Sequence, residues 1–265
     1  MSAQQARVIA IVNEKGGVGK TATVINLGAA LSKSGQKVLV VDMDPQFNAT
    51  HGLGVELEED SLTTYGIMVG DDSLDPAEAV LSTKWKGLDV VPSHVDLAGA
   101  EAELMDQPGR ENRLKRLTPL EKNYDFILLD TPPSLSLLTI NVFTYAREVL
   151  IPCQTHPYAM KALDDLLDTI GLVKENINPN LNLTGLVPTF YDSRTRVSRG
   201  IMELLKADER FKGKIFDTVI RSNSTIAESS WHQKPVVYFR SGSFGAVDYT
   251  NLAKELLERG NGKKN

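Results

Sequence analysis

This 265-residue chain has only one cysteine, no long apolar run and no excess of basic residues. Its one cysteine, Cys153, cannot form an intramolecular disulfide, and a packed thiol in a reducing cytoplasm is the interpretation that fits. No apolar run approaches the roughly 18–20 residues that a membrane span needs, and the N-terminus lacks the basic-then-apolar layout of a signal peptide. The net charge of −5 indicates that the protein as a whole is not a basic nucleic-acid binder.

Positive charge is nevertheless concentrated in one part of the chain. Residues 190–240 contain ten Lys or Arg against six Asp or Glu, a local excess on an otherwise acidic chain. Such an asymmetry either gives an acidic protein one basic face or reflects an ordinary scatter of surface charge. The hydrophobic content of 42% is enough to fill a sizeable core.

A glycine-rich stretch near the N-terminus lies between a predicted strand and a predicted helix. Residues 13–21 read Asn-Glu-Lys-Gly-Gly-Val-Gly-Lys-Thr, after the apolar run Val8 to Val12 and before a helical pattern from Ala22 to Ser32. Strand, glycine-rich turn and helix are the context of a phosphate-binding loop. Glycines let the backbone point its N–H groups at an anion, and the helix adds its positive N-terminal end. In such a loop Lys20 reaches the β- and γ-phosphates and the Thr21 hydroxyl binds Mg²⁺.

Acidic residues follow two of the apolar runs that are typical of buried parallel strands. Asp42 and Asp44 come after the run 38–41, and Asp130 comes after the run 126–129. Ligands of open parallel sheets bind beyond the carboxyl ends of the strands, so these side chains are expected beside the loop. Carboxylates there hold the waters of a phosphate-bound Mg²⁺, and Asp44 is placed to orient the water that attacks a γ-phosphate. An isolated Asp at a strand end is also commonly a helix or turn cap.

Repeated strand–helix units predict an α/β fold, a mostly parallel twisted sheet flanked by helices on both faces. No internal repeat or linker interrupts the pattern, so residues 1–265 are predicted to form one P-loop NTPase domain, with a flexible tail at 260–265. The further strands are predicted at 88–92, 124–130, 149–152, 183–188, 215–220 and 235–239. The further helices are predicted to begin near residue 75 and to cover 96–105, 110–117, 160–175, 198–206, 226–230 and 246–259.

The loop departs from the ordinary Walker A pattern, because position 14 is Glu and a second lysine, Lys15, precedes the glycines. Lys-Gly-Gly-Val-Gly-Lys-Thr resembles the deviant Walker A loop of the ParA/MinD family of ATPases. The segments 42–50, 129–133, 191–195 and 245–255 extend this resemblance over nearly the whole chain, from about residue 7 to 258. They are most similar to the small chromosomal-type, Soj-like ParA partition proteins.

The resemblance implies a site for ATP and Mg²⁺ built on this loop. Lys15 would be the family's signature lysine, which reaches across a dimer to the partner's nucleotide, and it would act in catalysis with Lys20 and Asp44. The Mg²⁺ would be held, partly through water, by Thr21, Asp44 and the Walker B aspartate Asp130. The implied nucleotide-binding residues are the loop residues Lys15, Gly16, Gly17, Val18, Gly19, Lys20, Thr21 and Ala22, with Asn223 near the adenine. Gly16 matches a glycine close to the two-fold axis of the family's dimer.

The implied activity is slow, partner-stimulated hydrolysis of ATP in a switch. ATP allows two subunits to close face to face into a homodimer that binds double-stranded DNA without sequence preference. A ParB-like or cargo adaptor protein then stimulates hydrolysis, and DNA release segregates chromosome or plasmid DNA or positions another cargo over the nucleoid. The protein is therefore expected to be cytoplasmic and nucleoid-associated, with no membrane partner. The candidate DNA-binding residues are Arg194, Arg196, Arg199, Lys212, Lys214 and Arg221. The alternative for Arg194 is a role at the nucleotide or dimer face.

The sequence departs from the family pattern in the segment 219–228. Arg221 lies one position earlier than the family's arginine there, and Thr225 replaces the second basic residue. Because family DNA-binding arginines lie in this region, the departure affects the predicted phosphate contacts.

Two alternative functions stay open. A metabolic P-loop enzyme, such as a small kinase or an ATP-dependent synthetase, would have a second substrate pocket and would turn over without DNA. A membrane-cycling MinD relative is disfavoured, because residues 258–265 do not form a basic amphipathic helix with large apolar residues. An electron-transfer ATPase like the nitrogenase iron protein needs two cysteines per subunit, and the single Cys153 excludes it.

Overall fold

Seven strands form one sheet in the computed structural model, which describes residues 5–71 and 73–261. The strands are β1 (Arg7–Ile11), β2 (Val38–Asp42), β3 (Leu81–Ser82), β4 (Leu88–Val91), β5 (Phe126–Asp130), β6 (Glu148–Gln154) and β7 (Asn182–Thr189). Their order in the sheet is β3–β4–β2–β5–β1–β6–β7. Every neighbouring pair is parallel except β3 with β4.

Helices connect these strands. The α-helices are α1 (Lys20–Lys33), α2 (Asn48–Gly52), α3 (Thr64–Val69), α4 (Ala100–Glu103), α5 (Leu137–Tyr145), α6 (Ala159–Asn176), α7 (Arg196–Ala207), α8 (Ser224–Trp231), α9 (Val236–Phe239) and α10 (Phe244–Asn261). The 3₁₀ segments are Pro76–Ala79, Val95–Ala98, Arg110–Asn123 and Glu209–Phe211. None of the helices within residues 5–71 and 73–261 has both the length and the apolar character that crossing a membrane requires.

The sheet is buried on both faces because alternate strand residues enter two separate cores. In β1, Val8 and Ala10 belong to one core, whereas Ile9 and Ile11 belong to the other. Helices α5, α6 and α7 cover the first face, and α1 and α10 cover the second. This arrangement confirms the predicted α/β fold with a mostly parallel sheet and helices on both faces.

The centre of the sheet brings three strand ends together. Asp130, the last residue of β5, pairs in register with Ile11 on one side and with Asp42 on the other. The carboxyl ends of β1, β2 and β5 therefore meet where the chain leaves β1 for the glycine-rich loop. This is the edge of an open parallel sheet at which ligands bind.

The segment 215–220, predicted as a strand, is not a strand of the sheet. It runs beside β7 and makes two isolated bridges, Leu186 with Ile215 and Tyr191 with Arg221. The backbone N–H of Ile220 donates to the carbonyl of Pro188 at 2.8 Å, but proline has no N–H with which to extend the ladder. A proline in the neighbouring strand thus interrupts a pairing that the apolar pattern predicted.

The segment 235–239, predicted as the closing strand, is helical instead. The carbonyl of Pro235 accepts hydrogen bonds from the N–H groups of Tyr238 and Phe239, which starts the short helix α9. The N–H of Val236 donates to Oδ1 of Asn26 in α1 at 2.7 Å, so α9 is attached to α1 and not to a strand edge. Tertiary packing overrides the strand preference of the β-branched pair at 236–237.

Other boundaries differ from the sequence prediction in smaller ways. Helix α5 was not predicted, the predicted helix 96–105 is divided between a 3₁₀ turn and α4, and the one from residue 110 is a long 3₁₀ segment. The final helix extends to Asn261, two residues into the predicted tail, and the rest of that tail, 262–265, lies outside the described residues.

Gly185 in β7 allows a close approach that a side chain would prevent. A Cβ there would lie 2.1 Å from the carbonyl oxygen of Lys214 and 2.9 Å from the ring of Phe216. We expect Gly185→Ala to lower the free energy of unfolding by about 2 kcal/mol, as overpacking typically does. The matched control is Gly171→Ala in α6, where nothing lies within 4 Å, and it should raise stability by up to ~1 kcal/mol. Urea denaturation measures both, and equal stability of the two variants would contradict the close approach.

Candidate active site

The glycine-rich loop between β1 and α1 has a backbone that only glycine adopts without strain. Gly17 and Gly19 have φ angles of +74° and +92°, in the left-handed region. Helix α1 begins immediately after Gly19 at Lys20, and the first N–H groups of a helix have no partner within it. The loop and the helix N-terminus therefore provide backbone donors for an anion.

Side chains from neighbouring strands hold the loop in place. Asn13 donates from Nδ2 to the carbonyl of Pro152 in β6 at 2.8 Å, and its Oδ1 accepts from the N–H of Lys15 at 3.0 Å. Thr189, at the end of β7, donates from Oγ1 to the carbonyl of Val18 at 2.8 Å. Both strands of this half of the sheet are thus attached to the loop, which is preorganised before any ligand arrives.

The two lysines of the loop differ in their environment. Lys20 is 6% exposed, and burial lowers its pKa, although the nearby carboxylates of Asp130 and Asp44 act in the opposite direction. Its Nζ makes one long contact, 3.4 Å to the carbonyl of Lys15. Lys15 is partly exposed, and its Nζ lies 3.4 Å from Oε1 of Gln154. In the part of the chain that the structure describes, neither ammonium group has a short hydrogen bond, so both can turn toward a phosphate.

Asp42 and Asp130 lie side by side at the ends of β2 and β5, fully buried. Burial raises the pKa of Asp42 to about 6, although Thr50 donates to Oδ2 from both N and Oγ1 at 2.8 Å. Its other oxygen accepts from the N–H of Asp44 at 3.2 Å. Asp42 was noted in the sequence only as a strand-end acid, and in the structure it positions Asp44 and the start of α2.

Asp130 is satisfied only in part. Its Oδ1 accepts from the N–H of Thr131 at 3.1 Å, whereas Oδ2 is buried without a hydrogen-bond partner among the described residues. Burial, followed by repulsion from Asp42, raises the pKa of Asp130 well above its usual range, and the nearby Thr21 hydroxyl and Lys20 lower it. An orphaned carboxylate oxygen close to a hydroxyl and an ammonium group marks a place for a cation.

The donor set fits Mg²⁺ bound mainly by phosphate and water. Within the described residues no three His, Cys, Asp or Glu side chains form a cage for a metal. Mg²⁺ usually keeps several waters and takes one or two protein ligands besides phosphate oxygens, so no cage is required. Thr21 and Asp130, with Asp44 behind them, are the residues that would hold it.

A cavity of about 220 Å³ opens beside the loop and α1. Its lining includes Gly19 and Ala22 from the loop and α1, together with Phe190, Asn223 and Tyr249. Asn223 caps α8, with Oδ1 accepting from the N–H of Thr225 at 2.8 Å, so the cap does not use its Nδ2. A mostly apolar cleft with one amide donor next to a phosphate loop suits a nucleoside. Phe190 and Tyr249 were not predicted, because no motif connects them to the loop.

The six candidate DNA-binding residues do not form one surface. Arg194, Arg196 and Arg199 cluster at the start of α7, near the carboxyl end of β7. Lys212 and Lys214 lie at the opposite end of that strand, where Nζ of Lys214 donates to the carbonyl of Leu183 at 3.0 Å.

Within the arginine group, exposed Arg194 pairs with Asp192, whereas Nη1 of Arg199 donates to the carbonyl of Ser193 at 2.8 Å. Arg221 belongs to neither group. It pairs with Asp248 at 2.5 Å and lines the nucleoside-sized cavity. The basic stretch of the sequence is therefore divided among three places in the structure.

Comparison with known proteins agrees with this geometry. Residues 6–183 match the family described as AAA domain. The sporulation initiation inhibitor protein Soj of Bacillus subtilis (strain 168) is 44% identical over 255 residues, 96% of this chain and 99% of that protein. The chromosome partitioning protein ParA of Myxococcus xanthus (strain DK1622) is 41% identical over 254 residues, 96% of this chain and 88% of that protein.

A solved structure with bound ligands shares the fold. It is that of cobyrinic acid a,c-diamide synthase from Mycobacterium smegmatis with a bound ATP analog and magnesium. The two chains superpose with a TM-score of 0.84 at 35% identity, covering 98% of this chain and 97% of the other.

Lys20 is the residue on which anion binding most depends. We expect Lys20→Ala to weaken ATP binding by roughly 100-fold, because a charge-assisted contact to phosphate is lost in a partly desolvated site. The matched control is Lys33→Ala at the other end of α1, whose Nζ donates to the carbonyl of Val237 at 3.1 Å, far from the loop. Titration calorimetry with ATP and Mg²⁺ measures both. Unchanged ATP affinity in Lys20→Ala would show that the glycine-rich loop does not bind the nucleotide.

Proposed function

This chain belongs to the ParA/MinD family of ATPases, and we propose that it is a switch that binds DNA as an ATP-bound dimer and releases it after hydrolysis. It is an ATPase of the partition and positioning class, with ATP as its substrate and magnesium as its cofactor. We further propose the dimer, the DNA-binding surface and the partner that stimulates hydrolysis.

The observation that carries the proposal is the second lysine on the open side of the loop. Lys15 is partly exposed and makes only a long side-chain contact, so its ammonium group is free to leave the loop. Gly16 next to it is exposed, and a Cβ there would meet only Pro133, at 3.9 Å. Among the described residues only Pro133 approaches the place of a Gly16 side chain, so this side of the loop suits close approach of a second copy, whose phosphates Lys15 would neutralise.

Hydrolysis would depend on positioning at the end of β2. The Oδ1 atom of Asp44 accepts from the N–H of Gln46 at 2.9 Å, which fixes the carboxylate, and its charge acts on Lys20 of the loop. Its other oxygen would orient the attacking water, while Lys20 holds the transferred phosphate and Lys15 of the second copy compensates its charge. Magnesium, when bound with ATP, supplies charge neutralisation at the β- and γ-phosphates.

The arginine group at the start of α7 is the proposed DNA surface on this edge of the molecule. Arg196 and Arg199 are exposed and have no carboxylate partner among the described residues. Exposed guanidinium groups bind phosphates of any sequence, and the affinity falls with salt. The lysines at 212 and 214 would form a second contact. The proposed site of action is the nucleoid, where a ParB-like or cargo adaptor protein would stimulate hydrolysis.

A metabolic synthase is the second candidate, because the solved structure reported above has that name and the same fold. Such an enzyme would turn over with a small-molecule substrate and would be indifferent to DNA. The partition names belong to the relatives with the higher identity, 44% and 41%. DNA dependence therefore separates the two candidates.

Binding to duplex DNA tests the proposed switch. We expect binding of non-specific duplex with ATP but not with ADP or without nucleotide, and we expect it to weaken steeply as salt rises. Asp44→Ala should retain ATP binding, lose hydrolysis and hold the DNA-bound state longer. Fluorescence anisotropy across a salt series measures this. Equal binding in all three nucleotide states would contradict the switch, and no binding in any state would contradict the proposal and favour the synthase.

Gly16 offers a separate test of the dimer. Gly16→Val should keep ATP binding, since the position has room within one subunit, but should prevent the ATP-dependent dimer sterically. The control is Gly242→Val, at a site with nothing within 4 Å. Light scattering with ATP in an Asp44→Ala background reports the mass. An intact dimer in Gly16→Val would place the interface elsewhere.

A further inference from the structure

Arg221 is held in one orientation by three contacts. Its Nε and Nη2 donate to the two carboxylate oxygens of Asp248 at 2.5–3.1 Å. Its guanidinium carbon lies 4.2 Å from the centre of the Phe244 ring. The N–H of Arg221 also donates to Oδ2 of Asp248 at 3.0 Å. A planar, paired and stacked guanidinium of this kind loses little further freedom when it binds a ligand.

The partner carboxylate is buried. Asp248 is 4% exposed, and its removal from water is compensated by the ion pair with Arg221. Because the charge of Arg221 is already neutralised within the fold, it adds little attraction for a DNA phosphate. Arg196 differs, since it is exposed and has no such partner among the described residues. The predicted DNA contact is therefore better supported for Arg196 than for Arg221.

The position of Arg221 connects it to the nucleotide. Arg221 lines the same cavity as Asn223, Ala22 and Gly19. Its Nη1 has no hydrogen-bond partner among the described residues, since the pair with Asp248 uses only Nε and Nη2. A fixed guanidinium with one unused donor nitrogen, in the lining of a mostly apolar cleft, is suited to an acceptor atom on a nucleoside.

We propose that Arg221 is a nucleoside-positioning residue of the ATP site, held by Asp248 and Phe244, and that it is not a DNA contact. It donates a hydrogen bond from Nη1 to an acceptor on the base or ribose, while Asn223 supplies the second donor. The inference rests on the nucleoside occupying this cavity and does not depend on DNA binding.

Helix α10 connects the Arg221–Asp248 pair to the helix that follows the phosphate-binding loop. Asp248 and Tyr249 are adjacent in α10, and the Tyr249 hydroxyl lies 3.4 Å from Oγ1 of Thr23 in α1. A nucleoside that contacts Arg221 is therefore held through α10, and α10 also packs on α1. The same helix thus stabilises the binding sites for the base and for the phosphates of ATP.

The test compares Arg221→Ala with Lys33→Ala in nucleotide binding and with Arg196→Ala in DNA binding. Arg221→Ala should weaken both ATP and ADP by about 10-fold, the size of one charge-assisted hydrogen bond, because both ligands carry the same nucleoside. In steady-state ATPase assays KM should rise by the same factor and kcat should stay unchanged, as for uniform binding. Lys33→Ala, at the far end of α1 from the loop, should leave both constants unchanged. A merely structural role would lower the fraction of active protein, and with it kcat, without this selective rise in KM.

DNA binding supplies the second arm, measured at ATP concentrations that saturate each variant. Arg196→Ala should reduce the slope of log affinity against log salt by about one, and Arg221→Ala should leave it unchanged. If Arg221→Ala fails to fold, Asp248→Asn loosens the same guanidinium and should raise the Kd for ADP in the same direction. Unchanged nucleotide affinity in the folded variants would overturn the inference. Absence of DNA binding in every variant would count against the proposed function and leave the nucleotide result standing.

Discussion

Two carboxylates held side by side away from water are the constraint on which this structure depends. Asp42 and Asp130 would repel each other at the ends of adjacent strands, and burial makes the charged forms more costly still. Donors from Thr50 and Asp44 satisfy Asp42. Among the described residues, one oxygen of Asp130 has no hydrogen-bond partner, although Lys20 and Thr21 are near, and a bound ligand would complete it. A cation bound there with its phosphates would relieve this repulsion and would couple ligand binding to stability at this edge of the sheet.

The loop that receives the phosphates is shaped by strands far from it in sequence. Asn13 bonds to β6 and Thr189 bonds from β7, so the position of the backbone donors is determined by the packing of half the sheet. The same edge carries Asn223 at the cap of α8 and Arg221 against α10. Base, phosphate and metal positions are thus supported by separate elements that converge only in the folded chain.

Local pattern was sufficient to predict the parts of the site that are continuous in sequence. The glycine loop, the helix after it and the aspartates at strand ends depend on short-range spacing, and the structure places them together. The cavity residues Phe190 and Tyr249 could not be predicted, because only tertiary packing brings them to Ala22. The prediction of a strand at 215–220 was wrong for a similar reason, because the pairing is interrupted by a proline in a different element, β7. The ion pair of Arg221 could not be predicted, because its partner Asp248 lies 27 positions further along the chain.

The length of β7 has a consequence for any polyanion that meets both ends of it. From Leu183, beside Lys214, to Thr189, ahead of the arginine group, the strand rises by roughly 20 Å at ~3.3 Å per residue. Duplex DNA covers that distance in about six base pairs at ~3.4 Å each. A shorter fragment would reach only one group, so the length of β7 would set the shortest duplex that both proposed groups could contact.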